Sequence, residues 1–488
     1  MPVRPFTRDQ AWLLPPRLDE AIGDDHPVRF VGAFVEAMDV AAWDALGIAT
    51  AGAPEGAPAY HPRLLLGVWL YGFMTGVRSS RKLEAACCDQ LPYLWLTGFQ
   101  KPDHNTLWRF YQAHRPEMRV LLTRTIRTAV VAGLVDLAVQ AVDGSKVAGN
   151  ASGRRTLDEA GLRRLLERTE AAIADLEAQN TTDGPPAPAR LPEQLRQAQA
   201  LQARVHEALA RVAADEGLRR VNLTDGDAML QRTRSGYLVG YNAQAVASPL
   251  TPVAGRGGQL ITAAAVVQDN NDSGQLLPMI EEAAAHCGEE AVATVADAGY
   301  HSARNLAACE ERQYTVAMPE AQGRKLRDAY HKDAFLYDPA TDSYRCPEGQ
   351  TLRPAGMARD PAGQPTRRYQ ASGDVCRACP AFGVCTQNAR NGRRIEIRID
   401  DASLRRHRAW MLTDAAKMLY RRRQGLIEPV FGVMKEQQGA RRFLLRGLDN
   451  VRAEWLLLAT AFNLRVLARI WQASQVSAPP PRTTALAA

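Results

Sequence analysis

At 488 residues the chain exceeds what one hydrophobic core supports, and its 46% hydrophobic and 23% charged residues make it an ordinary globular protein of two or three domains rather than a disordered one. Its longest apolar stretches, such as residues 455–462, are too short to span a bilayer, and MPVRPFTRDQ lacks a secretory apolar run, so a cytoplasmic protein with no membrane partner is expected. The net charge of +7 is concentrated in residues 393–446, where 14 Lys or Arg face six Asp or Glu.

Only seven of the 60 basic residues are Lys, and guanidinium forks suit phosphate oxygens. An Arg-rich chain equally fits a GC-rich genome; the clustering around Glu428 does not follow from base composition.

Residues 1–135 read as an all-helical domain, with apolar positions at helical spacing through Leu64, Leu65, Val68, Leu70, Tyr71 and Met74. Ser79 or Ser80 before RKLEAACC, and Asp103 or Asn105 before TLWRFYQAHR, are helix caps, and the two helices with their loop suit either a DNA-binding helix-turn-helix or a plain bundle. Residues 137–142 predict a buried strand ending at Asp143-Gly144.

Residues 155–217 then predict a helical hairpin broken by GPPAPAR at 184–190, inserted into a sheet domain over 136–320. Residues 240–248 and 260–268 alternate as an antiparallel hairpin; a helix over 273–285, a strand over 291–296 ending at Asp297, a helix from Ser302 and a strand over 314–318 follow. Residues 321–400 are polar, turn-rich and cysteine-bearing. Helices return over 401–473, the final one spanning 450–471, and 474–488 predicts a disordered tail. The resulting fold class is α/β: a mixed sheet flanked by helices.

Asp143 and Asp297 at strand ends are positions from which two carboxylates can share a metal ion, although Asp-Gly and Asp-Ala-Gly are also ordinary turns. Glu428 and Lys435 lie seven residues apart on one helical face, and Pro429 either starts that helix or kinks it, because it cannot donate to the carbonyl of Gly425. Lys146 is either a phosphate contact or a solvated loop lysine. Cys346, Cys376-x-x-Cys379 and Cys385 have the composition of a structural Zn²⁺ site, with reduced thiols or ligation by fewer residues as the alternatives; Cys87, Cys88, Cys287 and Cys309 read as small buried thiols.

Taken together, HPRLLLGVWLYGF, SSRKLE, DGSKVAGNAS, YNAQ, VADAGYHS, the cysteine-rich segment and YRRRQGLIEPVFGVMK resemble the DDE transposases of bacterial insertion sequences, in the group with a tyrosine-arginine-glutamate-lysine signature. The resemblance covers roughly residues 55–470. It implies an RNase H-like, retroviral integrase-type core in which Asp143, Asp297 and Glu428 hold two Mg²⁺ ions, with Mn²⁺ able to substitute. Tyr420, Arg423 and Lys435 match the rest of the signature; four residues rather than three separate Arg423 from Glu428, so Arg421 or Arg422 is an alternative for the arginine.

The implied activity is binding of terminal inverted repeats, cleavage beside them and joining to target DNA. Lys435, Lys146, Tyr420 and the arginines Arg421, Arg422 and Arg423 would contact DNA, and the active form would be a homodimer or larger, associated with the nucleoid. A catalytically inactive regulator and a two-metal nuclease without strand transfer are the competing readings.

Overall fold

Proline and glycine delimit the helix that organises the amino-terminal region. The computed structural model describes residues 17–50, 59–179, 191–233, 236–320, 329–359, 363, 365–399 and 401–477. Residues 1–272, 279–291 and 424–488 form one compact unit, and residues 273–278 and 292–423 a second. In the larger unit, α1 (Pro27–Glu36) and α2 (Val40–Ala45) precede α3 (Pro62–Thr75). His61 caps α3, Pro62 occupies its first turn where no N–H is needed, and every residue from Leu64 to Met74 is buried. Gly76 ends it at φ +82°, where a Cβ would stand 2.7 Å from the carbonyl oxygen of Gln437.

Next come α4 (Ser80–Asp89), α5 (Leu91–Thr97), α6 (His104–His114) and α7 (Arg119–Val131). Asp103 caps α6 as expected, accepting from the amides of Asn105 and Thr106, whereas Ser79 precedes α4 without a side-chain cap bond. The loop expected between α4 and α6 contains a further helix, α5, because Pro92 in LPYLWLT sits where a first turn tolerates it.

Strand β1 (Gln140–Ala148) runs through Asp143-Gly144 instead of stopping there. Its partner is the long strand β5 (Gly236–Val253), which pairs antiparallel with Asp143 opposite Ala245 and Gly144 opposite Gln244. Between them, β2 (Thr156–Leu157) and β3 (Val221–Asn222) close the base of a hairpin of α8 (Glu159–Ala178) and α9 (Leu191–Ala214). That hairpin has its own core of Leu162, Val205, Ala208, Val221 and Leu223, as the sequence pattern predicts; its 184–190 breaker lies outside the described residues.

Strand β4 (Met229–Thr233) pairs with the start of β5, and β6 (Arg256–Val267) with the rest of it, placing Asn242 opposite Val267. Ala254 and Gly255 alone link β5 to β6, both at positive φ, the geometry that matches strand twist in a two-residue turn. Helix α10 (Leu276–Cys287) follows.

In the smaller unit, β7 (Thr294–Ala296) and β8 (Val316–Ala317) are parallel and joined through α11 (Ala303–Glu311). The cysteine-rich segment is not merely turns. It forms a five-stranded antiparallel sheet, ordered β13, β12, β11, β10, β9, from β9 (Leu336–Asp338), β10 (Ser343–Arg345), β11 (Thr351–Arg359), β12 (Pro365–Gln370) and β13 (Arg394–Arg398), with the short helix α12 (Gly373–Arg377). Helix α13 (Asp401–Met411) then leads into α14 (Asp414–Glu436), and α15 (Leu448–Ser477) closes the chain in the larger unit. Helix α15 continues past residue 471 and takes in 474–477; residues 478–488 lie outside the described part. The architecture is mixed α/β, with antiparallel and parallel strand pairs and many helices. Among the described residues, no helix is long and apolar enough to cross a membrane.

Helix α15 is buried on nearly all sides, between the amino-terminal helices and β5 and β6. The Asn463 carboxamide accepts from the Ile261 amide and donates to the Ile261 carbonyl, both at 2.8 Å, so the exposed backbone edge of β6 is satisfied by a helix. Trp455 Nε1 donates to the Gln244 carbonyl at 2.9 Å.

A fully enclosed ion pair joins Arg78, just after α3, to Glu454 of α15 at 2.8 Å, with side chains 6% and 2% exposed. Burial pushes the Glu454 pKa up, opposed by Arg78 and by the amides of Leu444 and Leu445, which both donate to its carboxylate at 3.0 Å. Arg78 also donates to the carbonyls of Gly439 and Arg442. Removing one partner leaves a buried charge without compensation. Arg78→Ala or Glu454→Ala is therefore expected to lower stability by about 3–5 kcal/mol in chemical denaturation, and a loss below 1 kcal/mol would show the pair to be dispensable.

Candidate active site

Strand alternation gives β1 two different faces. Gly144 and Lys146 share one face with Gln244 and Asn242 opposite them; Asp143 and Ser145 share the other, opposite Ala245 and Ala243. On the first face lies Asp272, whose Oδ1 accepts from Asn242 Nδ2 at 2.7 Å, Gln244 Nε2 at 2.8 Å and Lys146 Nζ at 3.4 Å. A Cβ on Gly144 would run into Gln244 Nε2 and stand 2.6 Å from Asp272 Oδ1. Glycine at that position lets the carboxylate lie over the strand, which is why Asp-Gly here is continuous β-structure and not a turn.

Lys146 is thus neither in a loop nor solvated: it is a strand residue, 16% exposed and paired with Asp272. Asn242 was visible in the sequence only as part of YNAQ, and Asp272 not at all, because nothing in QDNND separates a buried acceptor from a polar turn.

On the second face, Asp143 is half-buried and its Oδ1 accepts from the Gly144 amide at 2.9 Å. Lys435, near the end of α14, reaches across to donate to Ser145 Oγ at 2.5 Å. Burial lowers the Lys435 pKa, Arg441 lowers it further, and the Asp143 carboxylate opposes both. The structure therefore brings Asp143 and Lys435 together, with Ser145 as a bridge that the sequence did not single out.

Glu428 lies on the same helix as Lys435, two turns earlier, and is exposed. Pro429 does not begin a helix: it sits inside α14, which is unbroken from Asp414 to Glu436. The carbonyl of Gly425, which would receive the missing N–H, accepts instead from Gln259 Nε2 of β6 at 3.0 Å.

Asp297 belongs to the smaller unit, immediately after β7, where its Oδ1 accepts from the Gly299 amide at 2.8 Å and caps the single turn Ala298–Tyr300. Arg421 and Arg422 are exposed on α14, while Tyr420 and Arg423 are partly buried. Other arginines of the basic segment are engaged internally: Arg406 grips Glu310, and Arg408 grips Glu320 through two bonds of 3.0 and 2.9 Å.

Among the described residues, no three His, Cys, Asp or Glu side chains are grouped to hold a metal ion. The donor chemistry of Asp143, Asp297 and Glu428 is nevertheless all carboxylate oxygen, the kind Mg²⁺ takes. Of the remaining cysteines, Cys87, Cys287 and Cys309 are buried, which pushes their thiols up to about 12, 11 and 11 respectively; Cys88 is exposed, contrary to the sequence reading.

Comparison with known families accords with this geometry. Residues 345–468, which carry α14 and strands β11 to β13 of the cysteine-rich sheet, match a family model described as a transposase DDE domain, and residues 16–113 match one described as a transposase domain. No curated protein and no solved structure matches the chain. The two matches together support an insertion-sequence DDE transposase.

The Gln259 bond gives a coupled test. Gln259→Ala leaves the Gly425 carbonyl without its protein donor and is expected to cost about 1 kcal/mol. In a Pro429→Ala background the backbone N–H returns, so the same change should cost nothing measurable by urea denaturation; equal costs in both backgrounds would show that Gln259 does not stand in for the missing amide.

Proposed function

We propose that this transposase binds the terminal inverted repeats of an insertion sequence, cuts beside them and joins the freed ends to target DNA. The observation that carries the reading is the Asp143 face of β1: the lysine of the tyrosine-arginine-glutamate-lysine segment bonds the hydroxyl two residues beyond Asp143. On an RNase H-like core, Asp143, Asp297 and Glu428 would hold two Mg²⁺ ions, with Mn²⁺ as a substitute. Bound there, the ions would activate a water or a DNA 3′-hydroxyl for in-line attack on a phosphodiester and stabilise the leaving oxygen.

The chain's own groups do the rest. Lys435, half-buried beside Asp143, supplies a fixed positive charge for the phosphate at the cleavage point, and Arg421 and Arg422 supply backbone contacts outside it. Lys146 acts at one remove, since its ammonium is committed to Asp272. Two element ends must be handled together, so the active complex contains at least two protomers, working on DNA in the bacterial nucleoid.

Incubation of labelled terminal-repeat DNA with the protein, Mg²⁺ and an acceptor plasmid tests the reading. Joined product is expected; cutting alone would identify a nuclease, and binding without cutting a regulator. Asp143→Ala, Asp297→Ala and Glu428→Ala should each abolish cutting and leave end binding largely intact, and an active variant would remove that residue from the catalytic set. Lys435→Ala should weaken end binding and reduce the slope of log affinity against log salt by about one.

A further inference from the structure

The four cysteines of the smaller unit's antiparallel sheet come from three separate turns and line one cavity. Cys346 ends the strand pair β9–β10 and sits in the turn Cys346-Pro-Glu-Gly349, where Gly349 adopts φ +81° and its amide donates to the Cys346 carbonyl at 2.9 Å. Cys376 and Cys379 lie on and just after α12, the Cys379 amide donating to the Cys376 carbonyl at 3.1 Å. Cys385 follows in a third turn, its amide bonded to the Ala381 carbonyl at 2.9 Å.

The cavity enclosed by these thiols, together with Leu352 and Phe382, measures about 20 Å³. That is room for one water-sized particle and nothing larger. A water there would find apolar walls; a soft cation would find sulfur.

Two of the sulfurs already receive backbone donors, Cys346 Sγ from the Gln350 amide at 3.2 Å and Cys376 Sγ from the Arg393 amide at 3.3 Å. Gly392, at φ +69°, makes room for one of them, since a Cβ there would stand 3.0 Å from Cys376 Sγ. The Arg393 guanidinium also lines the cavity, fixed by the carbonyls of Cys385 and Tyr330 at 2.8 and 2.7 Å, and offsets negative charge within it.

The fold around the site has need of a cross-link. Its core consists of eight buried residues, Phe335, Tyr344, Leu352, Tyr369, Ala371, Cys376, Ile395 and Ile397, fewer than a sheet of this size can usually rely on.

We propose that Cys346, Cys376, Cys379 and Cys385 form a structural zinc site that staples the three turns to this small core. Among the described residues no three of these groups yet stand at ligating spacing, so uptake of Zn²⁺ draws the sulfurs inward to Zn–S distances of about 2.3 Å and releases the thiol protons to solvent. The role is structural: four protein ligands leave no open position for a substrate.

The test is metal analysis of the full-length protein purified under reducing conditions without chelator. One zinc per chain is expected, and reconstitution of stripped protein with Co²⁺ should give the visible absorption of a tetrahedral thiolate complex. Cys379→Ser and Cys385→Ser should each lose the zinc, and Cys88→Ser should keep it. The cobalt spectrum is read on the unmodified chain, so it decides the matter even where a serine variant fails to fold. Absence of zinc, iron in its place, disulfides among the four cysteines, or full zinc retention in both serine variants would overturn the proposal. None of these readouts involves DNA, and the outcome stands apart from that of the strand-transfer experiment.

Discussion

The placement of α14 against β1 depends on one buried pair of charges. After Lys435 the chain passes through residues 437–447, a segment with few apolar anchors, and Arg78 and Glu454 hold it from two sides by its carbonyls and amides. The same segment bonds the end of β1, the Ala148 amide donating to Arg441 and the Phe443 amide to Ala148. A guanidinium from the amino-terminal helices and a carboxylate from the last helix thus set the approach of α14 to the strand that carries Asp143. Coulomb attraction alone would not justify burying two such charges; their additional backbone partners do.

Much of this framework was legible in the sequence because apolar spacing reports burial directly. Helix α3, the α8–α9 hairpin and the β5–β6 hairpin all follow from periodicity, and Asp103 announced its cap. The exceptions have physical reasons. β1 continued through Asp-Gly because Asp272, 128 residues further along the chain, covers the glycine. The sheet of β9 to β13 was hidden because no strand buries more than two side chains, as with Ile395 and Ile397 in RIEIR. At the candidate site, Asp143, Glu428 and Lys435 stood out by motif. Ser145, Asn242, Gln259 and Asp272 did not, since their roles arise from strand register and helix packing, which one-dimensional spacing does not carry.

The basic segment shows how far composition can mislead. Its excess charge suggested arginines available to phosphate, yet Arg406 and Arg408 tie α13 to Glu310 and Glu320. Paired guanidinium groups lend no counterion release. Arg421 and Arg422 on α14, by contrast, remain exposed.

The α8–α9 hairpin has its own small core, and its two ends meet where Thr156 pairs with Asn222. Since the junction is closed by backbone bonds, whatever lies beyond it can lengthen, shorten or be exchanged at an entropic cost that grows only with the logarithm of length. This position in the chain is a natural port for evolutionary grafting, where related proteins can acquire or discard an appendage without disturbing the register of the strands beneath.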